Sequence, residues 1–193
     1  MHRNQPSSSR PQRKFLLLCD SRDRDLTFDG VQAKTPGTSL DRGNSAPFQY
    51  RIDFTDTSLG VVENVKRLEL KAASVPKARD ELYVLLDIGS SYKSDFVATN
   101  QRHGTETFGV LYFDHDAMTT GAVKPMKGSD FSPKYVDFDP PLSSIKHLDI
   151  CLRKYDGSVL TKGDVVEDLS ADCTSIDPVT SYMFELTTLD RIC

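Results

Sequence analysis

The stretch Leu82-Tyr83-Val84-Leu85-Leu86-Asp87-Ile88 decides the fold of this chain, together with Phe108-Gly109-Val110-Leu111-Tyr112-Phe113. Both are short apolar runs rich in branched and aromatic residues, and turn-forming residues flank them. Such runs predict strands that are buried on both faces rather than helices. Because a strand of this kind needs apolar cover on the side away from the core, we expect these two strands to carry a surface for a partner.

The remaining strands are predicted from a two-residue alternation of apolar and polar side chains. In Phe48–Phe54, four apolar residues alternate with three polar ones, which is typical of a strand with one buried and one solvated face. The eight predicted strands are Phe15–Cys19, Phe48–Phe54, Val62–Val75, Leu82–Ile88, Phe108–Phe113, Tyr135–Phe138, Leu148–Leu152 and Tyr182–Leu186. Long loops separate them, as at 26–46 and 116–132. Eight strands with long connections indicate an all-β, antiparallel, single jelly-roll sandwich.

Residues 1–14 differ in composition from the rest of the chain. This segment carries Arg3, Arg10, Arg13 and Lys14 without an acidic residue, whereas the remainder has a surplus of eight acidic side chains. With almost no apolar residue, it is predicted to be a disordered or extended basic arm ahead of one domain at 15–193. Its four basic residues are candidates for contacts with an acidic partner or a neighbouring copy. So few charges do not support nucleic-acid binding.

The four cysteines do not form a recognisable motif. Cys19, Cys151, Cys173 and Cys193 are widely spaced and show no C-x-x-C pattern, which favours free thiols in a reducing cytoplasm. No apolar stretch has the length of a membrane span or a signal peptide.

Three acidic clusters are candidate sites for metal binding or acid–base catalysis. Asp114-His115-Asp116 is the best metal-like run, but no second His or Cys lies at ligand spacing. The pairs Asp53 with Asp56 and Asp137 with Asp139 could serve acid–base chemistry, yet both lie beside turn residues, where Asp commonly bonds the backbone. The sequence therefore predicts a protein that is not an enzyme and holds no metal or cofactor.

Sugar binding is an alternative function for a sandwich of this kind. It usually depends on exposed aromatic platforms, and this chain has no Trp. Tyr92 and Tyr155, which fall in predicted loops, are the candidate contacts if the chain binds a glycan.

Several phrases resemble one known family. Residues 16–25 read L-L-L-C-D-S-R-D-R-D, an opening strand followed by a D-S-R-D-R phrase, and residues 65–76 read V-K-R-L-E-L-K-A-A-S-V-P. Residues 138–157 contain F-D-P-P-L, then L-D-I and D-G. Together these resemble the single jelly-roll capsid proteins of large nucleocytoplasmic DNA viruses, of the phycodnavirus type, over residues 15–190. The arm ahead of residue 15 does not align with that pattern.

The resemblance implies a penton protein, which forms a homopentamer at the five-fold vertices of an icosahedral capsid. It implies a location in the virion after assembly in the host cytoplasm, with neighbouring major and minor capsid proteins as partners. Tyr83, Leu85, Leu111 and Phe113 are the predicted subunit-contact residues, on the expectation that they point away from the core. The alternatives are another minor capsid or cement protein, and a carbohydrate-binding sandwich at the surface that meets the host.

Overall fold

Ten β-strands make up the part of the chain that the computed structural model describes, which is residues 11–23, 48–55, 57–78, 81–89, 107–113, 123–126, 130–132, 135–165 and 179–190. The strands are β1 (Gln12–Asp20), β2 (Gln49–Asp53), β3 (Val62–Pro76), β4 (Tyr83–Asp87), β5 (Gly109–Tyr112), β6 (Val123–Met126), β7 (Phe131–Ser132), β8 (Tyr135–Ile145), β9 (His147–Arg153) and β10 (Ser181–Leu189). Single 3₁₀ turns lie at Ser21–Asp23 and Lys162–Asp164.

The strands pair antiparallel in two five-stranded sheets. The first sheet has the order β1-β10-β3, and β3 then pairs with both β8 and β6 along its other edge. The second sheet has the order β2-β9-β4-β5-β7. With the short strands β6 and β7 set aside, the orders β1-β10-β3-β8 and β2-β9-β4-β5 are those of an eight-stranded jelly roll. The predicted fold class is confirmed.

The core lies between the two sheets and is built mainly from aromatic and branched residues. Tyr182, Phe184 and Leu186 alternate along β10 and are fully buried, as their spacing predicts. Phe108, which precedes β5 in the second sheet, meets Phe184 edge-on with ring centroids 6.0 Å apart. The two sheets are therefore joined by direct aromatic packing across the sandwich.

The long strand β3 departs from a simple alternation in one respect. Leu68 and Leu70 are buried as predicted, but Ala72 is only half-buried and Ala73 lies in the core instead. The pairing with β10 shifts at this point, so that Met183 faces Ala72 while Phe184 faces Leu70. The extra residue on β3 forms a bulge that exchanges the two faces of the strand beyond it.

Strand β8 is longer than the sequence predicts. Tyr135–Phe138 was expected to end at Asp139-Pro140-Pro141, but the strand continues to Ile145. Its pairing with β3 is interrupted between Asp137 and Leu142, so both prolines fall where the ladder is already irregular. An edge strand tolerates proline there because no backbone donor is needed.

The predicted loop 116–132 was also partly wrong. It contains β6, which pairs with the end of β3 at Ala73–Pro76, and β7, which pairs with β5. Both strands are short, with four and two residues. They extend the sheets without changing the jelly-roll order.

Candidate interaction surfaces

The central strands of the second sheet are apolar on both faces, as their sequence predicts. On β4, Val84 and Leu86 lie in the core, and Leu85 lies between them on the opposite face. On β5, Val110 is paired with Leu85 and shares its outer face. Leu85 and Val110 are nevertheless almost fully buried. The chain itself thus covers the middle of this outer face.

This burial corrects three of the four predicted contact residues. Leu111 and Phe113 were expected to point outward, but both belong to the core cluster. The register explains the error, because Leu111 pairs with the inward-facing Val84 and therefore shares its face. Leu85 does face away from the core, but it is too buried to contact a subunit. Tyr83 is half-buried and stays a candidate.

Tyr83 belongs to a group of three aromatic side chains, which we call the tyrosine patch: Tyr83, Tyr112 and Tyr155. Tyr83 and Tyr112 are directly opposite each other on β4 and β5, with ring centroids 6.2 Å apart. Tyr155 approaches Tyr83 from the turn after β9, at 6.3 Å. Both contacts are edge-on, and Tyr112 and Tyr155 are 44% and 47% exposed. The patch thus presents aromatic surface with two hydroxyl-bearing rings open to solvent.

The turn that carries Tyr155 is fixed by several hydrogen bonds. The backbone amide of Lys154 donates to the carbonyl of Ser158 at 2.8 Å, and Gly157 adopts a positive φ of 85°, as the predicted Asp-Gly turn requires. The Ser158 amide donates to Asp156 at 2.9 Å, and its hydroxyl bonds the same carboxylate. These hydrogen bonds from Ser158 lower the pKa of Asp156. The turn therefore holds Tyr155 in a defined position.

Arg153 links this turn to β4. Its Nη1 donates to the carbonyl of Gly157 at 3.2 Å, and its Nε lies 3.7 Å from Oδ2 of Asp87. Because the second distance exceeds that of a hydrogen bond, the pair is held by charge attraction alone. The patch therefore has one cation and one carboxylate on the strands next to it.

A second exposed apolar surface lies on the first sheet, and sequence reasoning missed it. We call it the leucine edge: Leu16 and Leu18 on β1, with Met183 on β10. Leu16 and Leu18 are 66% and 63% exposed, and Leu18 is paired directly with Met183. Within the described ranges, β10 is the one strand that pairs with β1. The outer edge of β1 is therefore open to a further strand.

The predicted arm is partly incorporated into this strand. The strand was expected to begin at Phe15, but β1 begins at Gln12, so Arg13 and Lys14 are paired with β10. The Nε atom of Arg13 lies 2.9 Å from Asp190, and Nζ of Lys14 lies 2.7 Å from Glu185. Lys14 lowers the pKa of Glu185 by hydrogen bonding. These two basic residues thus make ion pairs within the chain, and both side chains stay largely exposed.

The other predicted arm contacts, Arg3 and Arg10, lie outside the described residues. So do Tyr92 and the cluster Asp114-His115-Asp116.

The D-S-R phrase after β1 has a clear structural role. The guanidinium of Arg22 donates two hydrogen bonds to Asp20, at 2.9 and 2.7 Å, and its backbone amide donates a third at 2.9 Å. The side-chain hydrogen bond from Arg22 is the main cause that lowers the pKa of Asp20. Ser21 exchanges hydrogen bonds with Thr180, ahead of β10. The phrase therefore closes the end of the β1–β10 pair.

The other acidic candidates have structural partners as well. Asp53 accepts hydrogen bonds from the amide and hydroxyl of Thr55, which confirms the turn interpretation and lowers the pKa of Asp53. Asp137 receives a bidentate pair from Arg67 at 2.7 and 2.8 Å, which lowers its pKa. Asp137 lies within β8 rather than at a strand end. Asp56, the proposed partner of Asp53, lies outside the described residues.

The cysteine prediction is confirmed where it can be checked. Cys19 and Cys151 are both free and buried. Burial raises the pKa of the Cys19 thiol to about 12 and that of Cys151 to about 11. Such thiols are protonated at neutral pH and unreactive. Cys173 and Cys193 are not among the described residues.

A groove of about 570 Å³ lies at the end of the first sheet, beside the Arg13–Asp190 ion pair. Phe15, Val61 and Asn64 are among its lining residues, and Asn64 has a positive φ of 53°. The groove is open to solvent, and its charged lining consists of Glu63 and the paired residues Arg13 and Asp190.

No group of three or more His, Cys, Asp or Glu side chains in the described ranges could hold a metal ion. None of the described helical segments is long and apolar enough to cross a membrane. No protein-family model matches the chain, and no curated protein matches it. The fold thus defines the class, an all-β single jelly roll, and function must be argued from the surfaces.

Proposed function

We propose that this protein is a structural component of an icosahedral virus capsid, and that five copies form the ring at a five-fold vertex. The observation that carries the proposal is the complete jelly-roll strand order in a chain with two exposed apolar surfaces. The jelly roll is a recurrent architecture of capsid subunits. Exposed apolar patches on a soluble domain mark places where another molecule binds.

The positions of the capsid-like phrases give the proposal further support. Residues 65–76 lie within β3, the strand that pairs with β10, β8 and β6. The D-S-R phrase fixes the end of β1, and the final D-G pair forms the turn that carries Tyr155. Each phrase thus corresponds to a feature that the sandwich needs. The resemblance follows the architecture and is not scattered over loops.

A ring of five needs two different surfaces that meet around the axis. We assign the tyrosine patch to one of them, because aromatic side chains are enriched at the centres of protein interfaces. Leu82, which is exposed and lies beside Tyr83, enlarges this surface. The patch lies on the second sheet, whereas the leucine edge lies on the first.

The first experiment measures the assembly state of the purified chain by sedimentation velocity. A ring of five 21.6 kDa chains should form reversibly as the protein concentration rises. Replacement of Tyr112 and Tyr155 by Ser should weaken the ring. The matched control is Tyr135→Ser, because Tyr135 is 46% exposed but lies on the first sheet. Equal loss of assembly in both variants would contradict the assigned surface.

Position in the particle is the decisive observation. A capsid map with this chain at the five-fold vertices would support the penton role. Density for it beneath or between the other capsomers would instead indicate a minor capsid or cement protein. A chain that stays monomeric and is absent from the particle would refute both.

The tyrosine patch also favours a second candidate function, carbohydrate binding at the surface that meets the host. Exposed tyrosine rings stack on sugars, and the adjacent Arg153 and Asp87 could bond hydroxyl groups. A glycan array probed with the purified chain tests this function. Loss of a glycan signal in Tyr155→Ala, with Tyr135→Ala unaffected, would support it. An array without any glycan signal would contradict the carbohydrate-binding function.

A further inference from the structure

The leucine edge is the more unusual of the two exposed surfaces, because it lies on an edge strand, which within the described residues pairs on one side only. Natural edge strands are commonly protected from pairing by proline, charge or a short length. Strand β1 has nine residues and presents Leu16 and Leu18 to solvent near its middle. It therefore has the features of an edge that pairs with another strand.

The opposite edge of the same sheet is protected. Strand β8 carries Pro140 and Pro141 and an irregular ladder between Asp137 and Leu142. Proline cannot donate to a neighbouring strand. A second copy therefore finds no complementary edge on β8, and head-to-tail growth of this sheet is blocked. The short strand β6 on the same side also carries a proline, Pro125, so within the first sheet β1 of another copy is the fitting partner for β1.

We propose that two copies of this chain pair through β1, antiparallel, about a two-fold axis at Leu17. The two-fold axis is perpendicular to the sheet. Side chains of the two copies that point to the same face of the joined sheet therefore lie opposite each other. With Leu17 at the axis, Leu16 of one copy faces Leu18 of the other, and all four exposed leucines come together. Lys14 of each copy, which is paired with Glu185, then lies opposite Asp20 of the other, which is bonded to Arg22.

The neighbouring registers are less favourable. An axis at Leu16 places Leu18 opposite Lys14, and an axis at Leu18 places Leu16 opposite Asp20. Each of these sets a charged residue against an exposed leucine, so that less apolar surface is buried between the copies. The exposed face of β1 is thus self-complementary in apolar character only when Leu17 lies on the axis.

This contact is separate from the proposed ring. A two-fold pair does not close a ring of five, so the two contacts can be lost separately. Sedimentation distinguishes the cases by mass, as multiples of 21.6 kDa. A variant that loses only the β1 contact should still form the ring of five, and a variant that loses only the ring should still form the pair.

The first test replaces both exposed leucines by lysine. The L16K/L18K variant should bind a second copy at least about tenfold more weakly in sedimentation equilibrium. The control is Tyr135→Lys, since Tyr135 is 46% exposed and lies on β8, outside both β1 and the tyrosine patch. Matching circular dichroism spectra would show that all three proteins fold. Unchanged pairing in L16K/L18K, or a monomeric parent protein, would overturn the proposal.

The second test determines the register by disulfide formation. Leu16→Cys and Leu18→Cys proteins are prepared separately, each with Cys173 and Cys193 replaced by Ser. Directly opposed positions lie about 4.5–5.5 Å apart between Cα atoms, within disulfide range, whereas positions offset by two residues lie beyond roughly 7 Å. Oxidation of the mixture should therefore give a cross-linked dimer much faster than either protein alone. Equally fast cross-linking in one protein alone would refute the register.

Discussion

Phe184 on β10 offers the sharpest test of the sandwich, because it joins the two sheets through Phe108. Its side chain is fully buried, and its ring also stacks on Tyr182 at 6.2 Å. Truncation of a buried Phe to Ala costs roughly 3–5 kcal/mol through lost transfer energy and the cavity left behind. For a chain of this length, that loss should lower the melting temperature by roughly 6–20 °C.

The assay is equilibrium unfolding in urea, followed by far-ultraviolet circular dichroism and tyrosine fluorescence. The matched control is Met183→Ala, the preceding residue on the same strand, whose side chain is exposed on the opposite face. We expect Met183→Ala to cost less than about 1 kcal/mol. If Phe184→Ala loses no more than the control, the assignment of faces on β10 is wrong. A large loss in both variants would contradict it as well.

Three further predictions concern buried polar groups. Tyr50→Phe removes a buried hydrogen bond of 2.9 Å between Tyr50 Oη and Thr180 Oγ1 and should cost about 1 kcal/mol in urea unfolding. Tyr182→Phe should cost less than Tyr50→Phe, because the Tyr182 hydroxyl makes no hydrogen bond of ordinary geometry among the described residues. Cys19 and Cys151, whose pKa values are raised by burial to about 12 and about 11, should resist alkylation at pH 8 in the native protein and react in denaturant, as mass spectrometry can show. The pKa of Asp20 is lowered in the folded state, so its contribution is present above the ordinary pKa of aspartate and is lost as the pH falls through the lowered value. Asp20→Asn should therefore be less stable than the parent at pH 7, and urea curves for the two should converge at strongly acidic pH.

The fold could be predicted because its main signal is local. Alternation in the segment around Phe184 and in Phe48–Phe54 follows directly from which face meets the core. The strand order was reached through the number of strands and the resemblance. The bulge that moves Ala73 into the core could not be read from the residues, since β3 is apolar at positions 72 and 73 alike. The continuation of β8 through Pro140 and Pro141 could not be predicted from the residues either.

The candidate surfaces were harder to predict for a related reason. In a strand that is apolar on both faces, the sequence does not say which face meets the core, and Leu111 and Phe113 were therefore assigned to the wrong one. Their neighbour Tyr112 is the exposed residue. Leu16 and Leu18 were missed because a run of three leucines looks like core, although only Leu17 faces inward. The pairing register shows which face of a strand meets the core, and this register depends on residues that are far apart in the chain.

The prolines of β8 have a consequence for how far this sheet can extend. Fibrous aggregates grow when both margins of a sheet recruit new strands, since each added unit must offer a site for the next. Here Pro140 and Pro141 keep the β8 edge from pairing with another strand. The pairing proposed at β1 therefore stops after one further copy has been added. Copies can therefore reach high local concentration without seeding fibres through this sheet.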